Sequence, residues 1–162
     1  MPDKKQSILL GGLVAGLLST SYLGMINMLC CAGVIIGAVV AVWHYTDSNE
    51  ITISAGQGAV LGLLAALVGW AFSFVLNYVL IKAGIRSDLV ISQFFLDRFG
   101  DNMPAEQYDQ MLDQMTAEMT FAKYFMSAIW GLLASVAFGS VGGMIGAMIF
   151  KKGGDEATEF DD

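Results

Sequence analysis

The sequence predicts an all-α protein, a four-helix transmembrane bundle with an interfacial amphipathic helix between the third and fourth spans. Three observations lead there. Asp, Glu, Lys and Arg are absent from Gln6 to Thr46, from Ile51 to Ile81 and from Tyr124 to Phe150. A helix crosses a bilayer in about 20 mainly apolar residues, so the first stretch is long enough for two crossings and each of the others for one. Hydrophobic residues make up 56% of the chain and charged residues 14%, with a mean hydropathy of +0.62, which sets it apart from soluble domains. Finally, small residues recur at four-residue spacing in every stretch, as in helices built to approach one another closely. Residues 1–162 are expected to form one integral membrane domain, with no separate soluble domain among them.

Lys4 and Lys5 precede the first apolar run, which continues well past the length of a secretory h-region and has no small-x-small cleavage site, so the first helix is expected to be retained. A Gly, an Asn and a Tyr cluster at Tyr22–Asn27, and a tight hairpin there divides the first stretch into span one at about 7–23 and span two at about 28–45. Trp43 and Tyr45 close span two as an aromatic belt. The polar turn Thr46–Glu50 leads to span three, about 55–81, which stops where Lys82 meets Gly84. Ser87 and Asp88 form an N-cap signature for a short aromatic helix ending at Phe99 before Gly100. Its narrow polar strip of Ser92, Gln93 and Asp97 suits a helix lying in the interface.

Pro104 occupies a first-turn position, with Glu106 and Asp109 near the positive end of the helix dipole. Tyr108, Met111, Leu112, Met115 and Met119 then recur at helical spacing, opposite an acidic and amide-rich face. No breaker separates them from span four at about 121–150, so one long helix from Pro104 to Phe150 is expected, with 82–120 as the extramembrane connection. Most acids lie in this connection and in the tail, 153–162, which reads as a solvated, disordered end. The net charge of −7 gives no nucleic-acid surface.

With four spans, both termini share a face with the 46–54 turn. Lys4, Lys5, Lys151 and Lys152 on that face balance Lys82, Arg86, Arg98 and Lys123 on the other. The first helix usually dominates orientation, and Lys4 and Lys5 precede it directly, so the termini are expected on the cytoplasmic side of a bacterial inner membrane.

The small-residue ridges are Gly12 and Gly16 in span one, Gly33 and Gly37 in span two, Gly58, Gly62 and Gly69 in span three, and Ser127, Gly131, Ser135, Gly139 and Gly143 in span four. Such ridges let helix backbones meet where apolar burial gives no drive to associate. More than one ridge on span three leaves a face spare for a further helix. The run Gly12-Leu-Val-Ala-Gly16 resembles Gly58-Ala-Val-Leu-Gly62, which would suit a duplicated hairpin.

Gln57, Ser73 and Asn77 are candidates for a polar path, because a buried amide in hydrocarbon needs a partner. Met25, Met28, Cys30 and Cys31 concentrate sulfur at the hairpin tip, a soft donor set, but adjacent cysteines lack the spacing of familiar metal sites. Packing is the expected role of the sulfurs, and no metal or cofactor is assigned. His44 reads as an interfacial anchor beside Trp43.

The glycine-rich hairpin, Ser54-Ala-Gly-Gln-Gly58 opening span three, Met103-Pro104 with its Met-rich acidic helix, and a Gly-rich last span ending Phe150-Lys-Lys152 together resemble the uncharacterised four-helix membrane proteins of a bacterial domain-of-unknown-function family common in Bacteroidetes. The resemblance covers nearly the whole chain. It implies the four-helix fold and brings no activity or catalytic residues with it.

No membrane-embedded carboxylate, Ser/His or Cys/His pair, or metalloprotease pattern is present, so an enzyme is not expected. The expected function is a non-catalytic accessory or scaffold subunit, in contact with the lipid bilayer and with other membrane subunits or further copies in a homo-oligomer. Met111, Met115 and Met119 would dock the partner. The alternative is a small channel or transporter with a polar path near Asn77.

Overall fold

The computed structural model describes residues 3–20, 23, 27, 31–85, 87–117 and 120–152. Among them are α1 (Lys5–Leu18), α2 (Ala32–Asn49), α3 (Ala55–Lys82), α4 (Ser87–Phe99), α5 (Ala105–Thr116) and α6 (Phe121–Ile149), with a 3-10 turn at Gly100–Asn102 and no strand. The fold is all-α. The tail 153–162, most of the hairpin tip, and Met119 of the expected docking stripe lie outside the described residues.

Among the described residues two helices, α3 and α6, are long and apolar enough to cross a membrane, rather than four. The reason lies at the hairpin. α1 is 14 residues long, about 21 Å at 1.5 Å per residue. It stops where Ser19 Oγ donates to the Ala15 carbonyl at 2.6 Å and Thr20 Oγ1 reaches those of Gly16 and Leu17, at 2.9 and 2.7 Å. Hydroxyls that take the last carbonyls offer the backbone an alternative to another helical turn. α2 begins only at Ala32, after a left-handed Cys31, and spends its last turns on the polar residues from His44 to Asn49.

The expected continuous helix from Pro104 to Phe150 is also broken. α5 ends at Thr116, whose hydroxyl donates to the Leu112 and Asp113 carbonyls at 3.2 and 3.1 Å, and Ala117 is extended. α6 then restarts with Thr120 as its N-cap, accepting from the Lys123 N–H at 3.4 Å. Two threonines, each bonding its side chain to nearby backbone, make the break that a reading for Gly and Pro overlooks.

α1, α2, α3 and α6 form the bundle. α3 lies against α1, α2 and α6, and α2 also touches α1 and α6, which leaves α1 and α6 at opposite corners. Contacts such as Gly58 with Gly143 and Gly62 with Gly139 run α3 antiparallel to α6, whereas Gly12 with Val68 and Gly16 with Phe72 run α1 parallel to α3. The core is correspondingly thin and small-sided: Ala38, Ala41, Val42 and Ala65 are fully enclosed. α4 and α5 pack on each other and on the turn joining them, where Tyr108 covers Gly100.

Candidate functional site

Between the C-terminal end of α1, the N-terminal end of α2, and the facing stretches of α3 and α6 lies a half-open cleft of about 350 Å³. Its origin is a change in how α6 meets α3. From Gly139 to Ala147 the two backbones touch: a Cβ on Gly143 would overlap the Gly58 carbonyl oxygen, and one on Gly62 that of Gly139. Towards its N-terminus α6 is held off by large side chains instead. Trp70 stacks on Phe74 with centroids 5.5 Å apart, and Phe74 meets Tyr124 at 5.0 Å. Trp70 Nε1 donates to the Ala128 carbonyl at 3.0 Å and Tyr124 donates its hydroxyl to that of Phe74 at 2.5 Å. These aromatic spacers prop the helices apart, and the space between them is the cleft.

Of the expected polar path, Ser73 and Asn77 both line the cleft. Asn77 Nδ2 donates to the Ser19 carbonyl at a long 3.5 Å. Gln57 does not join them. It sits in the first turn of α3, where its N–H donates to Ser54 Oγ at 3.3 Å and its side-chain oxygen accepts from the Ser54 N–H at 3.1 Å. This is a capping box, and its S-x-x-Q signature was readable in the sequence. Ser73 and Asn77 therefore share one chamber and Gln57 belongs to the other end of the bundle.

The glycine ridges divide in the same way. Gly11 meets Gly37 between α1 and α2, where a Cβ on Gly11 would lie 2.5 Å from the Gly37 carbonyl oxygen, and Gly12, Gly16 and Gly69 meet between α1 and α3. Gly33 abuts Leu18 and Asn27. Gly142 and Gly146, not singled out by the four-residue series of Gly139 and Gly143, face Ile35, Ala38 and Val42 of α2. Gly131 departs from expectation: it is exposed, and a Cβ there would meet only Trp70 Nε1, at 3.9 Å. With Ser127 and Ser135 it borders the cleft rather than a helix seam. Gly12 and Gly58 also occupy unlike surroundings, one facing a parallel helix and the other an antiparallel one, so their similar sequences do not mark equivalent positions in a duplicated hairpin.

Asn27, read from the sequence only as part of the hairpin turn, has a further role as a tie between two helices. Its Nδ2 donates to Ser19 Oγ at 2.7 Å and its Oδ1 accepts from the Gly33 N–H at 2.8 Å, tying the end of α1 to the start of α2. A side-chain amide spaced just ahead of an apolar helix is the signal for such a role. Cys31 lines the cleft as well, whereas Met25, Met28 and Cys30 lie outside the described residues. Met111 and Met115 are half-buried on α5, away from the cleft. At the opposite end of the bundle His44 Nδ1 lies 2.9 Å from the buried Ser7 hydroxyl, pairing α2 with α1. There Lys152 Nζ also contacts Asp47 at 2.7 Å; that hydrogen bond and the carboxylate's charge hold the Lys152 pKa above its ordinary value.

None of the described residues lining the cleft is charged. Fold and cleft together define an all-helical protein in which two helices of membrane-crossing length enclose, with a shorter helical hairpin, an uncharged polar chamber. Residues 7–152 match the family model described as "Protein of unknown function (DUF4199)", and the chain belongs to that family. No curated protein and no solved structure matches the chain.

Proposed function

We propose that the protein is a non-catalytic subunit of a membrane assembly, with α1, α2, α3 and α6 embedded in the bilayer and packed against a second copy or another membrane protein. The observation that carries this is bare apolar surface. Only 33% of the apolar window of α3, and the same share of α6, is buried within the molecule. A core helix of a soluble protein would be mostly covered, and exposed patches of this extent call for lipid or protein. On α6, Phe121, Met126, Trp130 and Leu133 are all exposed, Trp130 by 71%. α1 and α2 contribute Leu9, Leu13, Leu17 and Ile36 to the same collar. Shortness of the α1–α2 hairpin is accommodated by local thinning of the bilayer or by tilt. In this reading α4 lies along the interface, with Phe94 and Phe99 turned outward, and both termini lie on the cytoplasmic side of a bacterial inner membrane.

The test is purification of the tagged protein in mild detergent with native mass measurement. A defined oligomer or a stoichiometric membrane partner is expected, and a monomer with no partner overturns the reading. The conduit alternative has one supporting observation, the chamber shared by Ser73 and Asn77. Gln57 lies apart from it, which favours a blind site over a path through the bundle.

A further inference from the structure

The cleft has the size of a small ligand site, since such pockets run from about 300 to 1,000 Å³. Three features restrict what enters it. The described lining carries no charge, and a charged ligand would give up its hydration there without an ionic partner among those residues. Much of the wall's donor capacity is already used: Trp70 Nε1 and Tyr124 donate to backbone carbonyls, and Ser73 Oγ donates to the Trp70 carbonyl at 3.1 Å. The hydroxyl oxygens of Ser73 and Tyr124 retain acceptor lone pairs, so the wall suits a ligand that brings its own O–H or N–H.

The third feature is Ser135. It is 8% exposed and lines the cleft, yet among the described residues its hydroxyl bonds to no protein group. Ser140, on the same helix, returns its own to the Val136 carbonyl at 2.8 Å. Among the described residues no buried side-chain oxygen lacks a partner, so the Ser135 hydroxyl is not sealed in the protein but open to the cleft, where an entering group can bond to it. Beside it, Gly131 leaves open the space that a larger side chain would fill.

We propose that the cleft binds an uncharged amphiphile with a hydroxylated head, received from the membrane. A head hydroxyl bonds with Ser135, and the rest of the ligand runs along the cleft past Val34, Trp70 and Phe74 toward Ser73 and toward Tyr124, which lies about three helical turns from Ser135 on α6. This goes beyond the subunit role and stands or falls separately from it, because the measurement below reads occupancy and not assembly.

The experiment uses the full chain in nanodiscs with Trp43→Phe and Trp130→Phe, so that Trp70 is the remaining indole. It is titrated with a monoacylglycerol brominated on its acyl chain, a neutral dihydroxyl amphiphile that quenches indole on contact. Saturable quenching of Trp70 is expected. Gly131→Leu, which fills the cleft from an open position, should weaken it by about tenfold or more, and Ser135→Ala by several-fold, as expected where a buried hydrogen bond is lost. The brominated fatty-acid anion and a brominated lysophosphatidylglycerol should give no saturable component. Quenching that rises without saturation, that survives Gly131→Leu unchanged, or that the charged lipids match would overturn the proposal. Should Ser135→Ala fold poorly by circular dichroism, Gly131→Leu alone decides.

Discussion

Gly58 and Gly143 pack backbone to backbone, so that a Cβ on Gly143 would occupy the position of the Gly58 carbonyl oxygen. Gly62 and Gly139 repeat the contact one turn along, and the seam between α3 and α6 is rigid because neither partner has a side chain to move. Gly143→Leu should therefore destabilise the bundle by about 1–3 kcal/mol or more, the usual cost of overpacking. Gly131→Ala, facing open space, should change stability little. Unfolding in mixed micelles at increasing SDS fraction measures both; equal effects at the two positions would contradict the seam.

Asn27 holds α1 and α2 together through Ser19 and the Gly33 N–H. Asn27→Ala should cost about 1 kcal/mol, in line with loss of a helix cap. Amide exchange at the start of α2, from Gly33 to Ile36, should quicken while the Gly58–Gly143 seam stays protected. Unchanged exchange at Gly33 would remove the capping role.

Lys152 and Asp47 join the two ends that meet at the far side of the bundle. Because the carboxylate raises the Lys152 pKa above 10.5, the attraction is fully present below that pH and is lost as the pH climbs through the raised value. Selective ¹³Cε labelling of Lys152 should give a titration midpoint that falls when Asp47→Asn is introduced. Both side chains are solvent-exposed, so Asp47→Asn should leave thermal stability nearly unchanged. A midpoint indifferent to Asp47 would show that the contact is not kept in solution.

The proposed topology puts residues 5 and 151 on one side of the membrane and residue 123 on the other. In a background with both cysteines replaced, Lys5→Cys and Lys151→Cys should react with an impermeant maleimide only after the cytoplasmic face is exposed, and Lys123→Cys should react in intact cells. Labelling of all three from one side would exclude it.

Helix bounds were legible where the chain carries its own punctuation. Lys82 and Gly84 mark the end of α3, which closes at Lys82, one residue past its expected limit. The hairpin was less legible, because what shortens α1 is a set of hydroxyl-to-carbonyl bonds from Ser19 and Thr20 that other serines and threonines in apolar helices also make without ending them, as Thr46 and Ser140 do. Thr116 and Thr120 broke a helix whose apolar periodicity ran on. Part of the candidate site was named in advance, through Ser73, Asn77, Gly131 and Ser135, although the glycine and Ser135 were assigned to packing. Gln57 was misplaced because polarity alone does not distinguish a buried amide from a cap.

By itself the sequence determined that the chain is helical, that its charges are confined to the ends and connections, and which residues are small at four-residue spacing. All of these are properties of neighbouring positions, governed by hydropathy and helical pitch. Only the tertiary structure decided which ridge meets which. It closed α3 on α6 at Gly58 and Gly143, and it propped the same two helices apart through Trp70 with Ala128 and Phe74 with Tyr124, residues 58 and 50 positions apart in the chain. A cleft is the difference between those two separations, and no local spacing encodes a distance between helices.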